Sequence, residues 1–154
     1  MRCVVFVIGV LFSLNVLSQD VVQPAMKWTL LDQNEKAYTL NDSAQVLLVA
    51  RSMSSAKLVN AALEGQPEGY LDARNIVYVA DIEKMPSLVK LVAVPAMRSA
   101  KYRIMLDQDG RVANRYGGDR DTVQWLVLNN GVVIKEQRFT DDEKLKQAIA
   151  ERVR

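Results

Sequence analysis

The chain has 154 residues, with 20 lysines and arginines against 18 aspartates and glutamates, no histidine and a single cysteine, Cys3. The length suits one domain with a real core, and the balanced charge gives no reason to expect nucleic acid or an anionic membrane as partner. The missing histidine excludes His-based triads, and one cysteine cannot build an intrachain disulfide, an iron–sulfur cluster or a Cys/His zinc site.

Residues 1–18 read as an export signal. Arg2 is the only charge before Asp20, Cys3 to Leu14 is almost wholly apolar, and Val16-Leu17-Ser18 permits cleavage. The apolar run falls short of the roughly 20 residues that a spanning helix needs. Cys3 also stands too early to be a lipid-modified cysteine. Cleavage after Ser18 leaves residues 19–154 as one domain with no membrane span. That chain has no cysteine, so thiol chemistry is not expected of it, and with Arg2 gone its cations exceed its acids by one.

Trp28 to Leu31 and Ala37 to Leu40 alternate around Asp32-Gln33-Asn34-Glu35, which predicts a short hairpin. Asn41-Asp42-Ser43 is a turn. Val46 to Ala50 is an unbroken apolar run, as expected of a central strand covered on both faces. It leads into a helix start, with Ser52, Ser54 and Ser55 as cap candidates. Leu58, Val59, Ala62 and Leu63 follow at helical spacing, with Gly65 just beyond the end. Gln66-Pro67-Glu68-Gly69 breaks the pattern, and Asn75 to Ala80 is a second buried strand. Pro86 suits a helix start. Ser87 to Val94 then puts Leu88, Leu91 and Val92 on one helical face, and Pro95 ends or restarts that helix.

Arg103 to Leu106 predicts a third strand, Asp107 to Gly110 a turn, and Val112 to Tyr116 a short return strand. Thr122 to Leu128 is another buried strand. Asn129-Asn130-Gly131 signals a hairpin, with Val132 to Gln137 returning antiparallel. Thr140 and Glu143 form a capping box for a last helix, whose inner face is Leu145, Ala148, Ile149 and Val153. Trp28 and Trp125 fit core positions. Strand–helix–strand followed by a hairpin and a closing helix predicts an α/β fold, a mixed sheet flanked by helices.

Two stretches carry a family resemblance. Val46 to Lys57, VLLVARSMSSAK, stands where thioredoxin-like proteins of the redoxin type have a strand, a CxxC motif and a helix. Ile104 to Glu136 resembles their strand, Asp-Gly turn, "YG" pair, cis-proline strand and final hairpin. The chain is more closely similar to the YtfJ family of small periplasmic thioredoxin-like proteins. Arg51 to Lys57 matches that family's Gly-Arg-Thr/Ser-Ser-Ala-Lys segment, with one extra residue and Ala50 in place of Gly. Asn129-Asn130-Gly131-Val132 matches its late hairpin, with Asn129 in place of Asp. The resemblance runs from about Trp28 to the C-terminus. It implies a thioredoxin-like fold and a periplasmic location, and it implies no particular activity.

By that alignment Met53-Ser54-Ser55-Ala56 replaces Cys-x-x-Cys, where a helix N-terminus would lower a thiol's pKa. Val123 replaces the cis-proline, and a cis bond there would cost about 2.5–4 kcal/mol. The expected site is therefore a degenerate one: Arg51, Ser52, Met53, Ser54, Ser55 and Lys57, with Asp121 and Val123 from the facing loop and strand. No metal or cofactor is expected. Asp107-Gln108-Asp109-Gly110 starts like a calcium loop, but its twelfth position is Gly118.

A helix start between Arg51 and Lys57 could attract an anion, although the serines could equally cap the helix while Asp119 or Asp121 neutralises Arg51. The functional expectation is a non-catalytic module that binds an envelope protein or peptide. The alternatives are a small-anion binder, or a non-thiol enzyme using Ser54 and Lys57.

Overall fold

The computed structural model describes residues 26–152; the predicted export signal and Val153 lie outside them. Seven strands form one sheet: β1 (Thr29–Asp32), β2 (Ala37–Thr39), β3 (Val46–Ala50), β4 (Ile76–Asp81), β5 (Met105–Asp107), β6 (Val123–Asn129) and β7 (Val132–Phe139). Their order is β2-β1-β5-β4-β3-β6-β7. β3, β4 and β5 run parallel, and every other pairing is antiparallel. The helices are α1 (Met53–Leu63), α2 (Ser87–Met97) and α3 (Asp142–Glu151).

β3 organises the interior because both its faces are covered. Strand alternation sends Val46, Leu48 and Ala50 to one side, where they meet Val59, Ala62 and Leu63 of α1 and Leu145 and Ile149 of α3. Leu47 and Val49 go to the other side, with Val79, Leu126, Trp28, Val112 and Tyr116. No β3 residue is more than 1 % exposed, as its unbroken apolar run predicts. Full burial of a Leu or Val contributes about 1.5–3 kcal/mol, so this strand alone anchors a large share of the core. Trp28 and Trp125 are both buried, and Trp28 Nε1 donates to the Tyr116 hydroxyl at 2.7 Å.

Three local expectations fail for identifiable reasons. Val112 to Tyr116 is not a strand: Ala113–Tyr116 is a 3-10 turn. The Asp107 carboxylate captures the N–H groups of Val112 and Ala113, at 3.0 and 2.8 Å, and curls the chain. The cap of α3 is Asp141, which accepts from Lys144 N–H, rather than Thr140 with Glu143. α2 runs through Pro95 to Met97. The proline stands near the helix end on its exposed side, where losing one N–H costs least.

α2 departs furthest from an ordinary amphipathic helix. Leu88, Leu91 and Val92 do share a face, but it looks outward, and they are 79 %, 72 % and 73 % exposed. No residue of α2 is buried. Val94 and Met97 pack only partly buried against the core, and polar bonds add to the hold on its C-terminal end. Buried Gln33 donates to Tyr102 O at 2.8 Å and accepts from Ile104 N–H at 2.8 Å, and Arg98 donates to Gln33 O at 3.0 Å. A helix with so little apolar anchorage opens at low free energy. Amide exchange in α2 should therefore run at least about tenfold faster than in the interior of α1; equal protection in native-state hydrogen exchange would contradict this packing.

Candidate functional site

β3 ends at Ala50 and α1 begins at Met53, so Arg51 and Ser52 form the junction. Ser52 is the N-cap, with extended backbone, and its hydroxyl accepts from Ser55 N–H at 3.1 Å. Ser55 reciprocates: its Oγ accepts from Ser52 N–H at 3.0 Å and Arg51 N–H at 3.1 Å. This is a capping box with serine in the place usually held by Glu or Gln. Ser54 Oγ lies 2.9 Å from Ser52 Oγ, and Ser52 Oγ also meets the carbonyl of Arg120. The serine hydroxyls thus serve the helix start and its neighbouring loop.

Arg51 continues the strand alternation, so its side chain goes to the face of Leu47 and Val49, away from α1. It is 5 % exposed. Nη2 donates to Ala113 O at 3.0 Å and Gln124 Oε1 at 2.6 Å, while Nη1 is buried without a partner. A Cβ on Gly118 would fall 2.0 Å from Nη1, so a larger residue there would force the guanidinium to shift. Burial lowers the Arg51 pKa from its ordinary value, with Asp81 opposing; an arginine nevertheless stays charged.

The expected pairing of Arg51 with Asp119 or Asp121 does not occur. Asp119 pairs with Arg138 and caps its own loop, accepting from the N–H groups of Asp121 and Thr122. Partial desolvation works to raise the Asp119 carboxyl. The Thr122, Arg138 and Asp121 bonds outweigh it and bring the pKa to about 2. Asp121 is exposed. Gln124 bridges the two groups, accepting from Arg51 and donating to Tyr116 O at 3.0 Å and to Glu136 Oε1 at 3.1 Å. Glu136 in turn pairs with Arg138.

On the opposite side of the sheet a cavity of about 780 Å³ opens between α1 and α2. Arg51, Ser52, Met53 and Lys57 of the expected site border it, joined by Lys84, Arg120 and Asp81. Met53 is 53 % exposed at its mouth. Ser54, Ser55, Asp121 and Val123 do not border it: Ser55 turns inward to the cap, and Val123 is wholly buried in the core beside Trp125. Among the described residues no peptide bond is cis, and no cluster of three or more Asp, Glu, His or Cys side chains could hold a metal.

The residues that hereditary position in a motif did not reveal are Gln124, Gly118, Asp107 and Lys84. Gln124 does leave a trace, as the lone polar residue inside TVQWLVL. Asp107 is fully buried with Oδ1 unpartnered. Burial pushes its carboxyl above the usual range, against the opposing bonds from Ala113 and Val112.

No known family's model matches the chain, and a search of curated proteins finds no relative. Solved structures do match in fold. The exposed lipoprotein thioredoxin Etrx1 of Streptococcus pneumoniae superposes with a TM-score of 0.54 at 15% identity, over 82% of this chain and 99% of that one. StoA of Bacillus subtilis gives 0.54 at 14% identity, over 82% and 98%. Peroxidoxin BcpB of Mycobacterium tuberculosis gives 0.50 at 14%, over 82% and 91%. The fold is thioredoxin-like.

The raised Asp107 pKa sets a pH test. A folded value above the unfolded one contributes stability that is fully present below the ordinary carboxylate range and is lost as pH rises through the folded value. Asp107→Asn keeps an acceptor for the two N–H groups and removes the charge. Its melting temperature should therefore gain on the wild type between about pH 4 and pH 7. Parallel pH profiles would contradict the assignment.

Proposed function

We propose that this chain is a recognition domain of the YtfJ type, exported to the periplasm through residues 1–18, in which residues 19–154 form a thioredoxin-like module without thiol chemistry. The observation that carries the reading is local. The position of a redox pair holds Met53 to Ala56, and Met53 stands open at the mouth of a cavity large enough for a ligand.

The putting together of Ser52 and Ser55 as a capping box leaves the helix start committed to structure. Arg51 is committed likewise, through Gln124 and Ala113. Recognition then falls to the cavity and its rim: Ser52, Met53 and Lys57 on one side, the loop before Val123 on the other. A partner peptide or small ligand of the envelope would enter there, with no covalent step. Similarity in fold to thioredoxin-type proteins supports the scaffold and leaves the chemistry to these residues.

The purified chain should leave the rate of insulin reduction by dithiothreitol at the protein-free value. A protein-dependent acceleration that survives Cys3→Ser would overturn the recognition reading, because it would demand a redox centre that Met53 to Ala56 cannot supply.

A further inference from the structure

We propose that the cavity beneath α2 binds an amphiphilic anion, a single aliphatic chain ending in a carboxylate, with the chain under α2 and the carboxylate among Lys57, Lys84 and Arg120. This inference rests on the recognition reading and names the ligand class of the same site.

Three observations carry it. First, the cavity has a volume of about 780 Å³ and largely apolar walls, among them Ala80, Ile82, Met85, Val89, Ala93 and Met97. That size lies within the range of small-molecule sites. Three of the lining side chains, Met53, Met85 and Met97, are flexible thioethers that adapt to an apolar chain.

Second, its free charge is one-sided. Lys57, Lys84 and Arg120 border the cavity against the single carboxylate of Asp81, and the Arg51 guanidinium is engaged on the other side of the sheet. Of the other cations between Lys84 and Arg103 none lines the cavity, and Arg103 is paired with Asp32, so the positive edge is made by Lys57, Lys84 and Arg120 alone. An apolar body with a negative end complements both features; a neutral or cationic amphiphile complements only the first.

Third, α2 is placed as a cover rather than as a plug. The residues that it turns toward the cavity are Val89, Ala93, Ala96 and Met97, whereas Leu88, Leu91 and Val92 point outward. The two alanines leave room under the helix between the larger Val89 and Met97. With no buried residue of its own, α2 can lift to admit a chain and gain apolar contact when one is present.

The test uses purified full-length protein with methyl-labelled methionine and decanoate below its micellar concentration. Decanoate should produce saturable shifts of the Met53, Met85 and Met97 methyl signals while buried Met105, outside the cavity, stays put. Decanol should bind at least about tenfold more weakly. The double change Lys57→Glu with Lys84→Glu should weaken decanoate by about tenfold or more and leave decanol unchanged. Ala93→Trp should abolish the shifts, with the Met105 signal showing that the fold is intact and the unchanged residues 1–18 controlling for adsorption there. Equal affinity for decanol, indifference to the charge reversal, binding that survives Ala93→Trp, or no saturable shift would each overturn the proposal. None of these results would disturb the recognition reading, which the insulin assay tests separately.

Discussion

The Arg51 guanidinium is the interaction on which the junction depends. One nitrogen, Nη2, holds two separate parts of the chain: the carbonyl of Ala113 in the 3-10 turn and the amide oxygen of Gln124 in β6. A charge removed from water costs several kcal/mol unless it is well bonded, so these contacts are strongly specified. The turn that supplies Ala113 exists because Asp107 captures two of its N–H groups, and Gly118 lies against the same guanidinium. The strand end, the turn and the loop before β6 are thereby fixed relative to one another by polar contacts that tolerate little substitution.

The sheet separates this framework from the candidate site. Because side chains alternate, Arg51 serves the face of Leu47 and Val49, while α1, α2 and the cavity lie on the face of Leu48 and Ala50. Of the two roles that the sequence leaves open for Arg51, an anion contact or an internal bond, the structure shows the second, with Gln124 and Ala113 as the partners. What remains open to a ligand is supplied by neighbours: Met53 and Lys57 from α1, Lys84 ahead of α2, and Arg120 from the loop whose carbonyl meets Ser52.

The strands were legible because burial on two faces leaves unbroken apolar runs, as at Val46–Ala50, and because Asn130 and Gly131, both at positive φ, make the tight turn that Asn-Gly signals. The first cap was legible in kind, since serine before an apolar period marks a helix start, although only the structure separates the roles of Ser52, Ser54 and Ser55. The failures come from contacts that the strand and helix patterns do not carry, some local and some distant. Val112 to Tyr116 has a strand's composition, yet a carboxylate five residues upstream captures its backbone. Gln33 looked like a turn residue and is a buried fastening for the end of α2 and the segment leading into β5, 64 to 71 residues away. Leu88, Leu91 and Val92 show that periodicity finds a face without saying which way it points. The cavity needs three distant segments brought together, and no single stretch announces it.

The central claim is that Arg51 is a structural bridge to Gln124 rather than a group held free for a ligand. A double-mutant cycle with Arg51→Met and Gln124→Met, read by urea unfolding, tests it most directly. A buried charge-assisted bond predicts a coupling energy of about 1.5–3 kcal/mol. Single changes that add to within about 0.5 kcal/mol of the double would contradict the account.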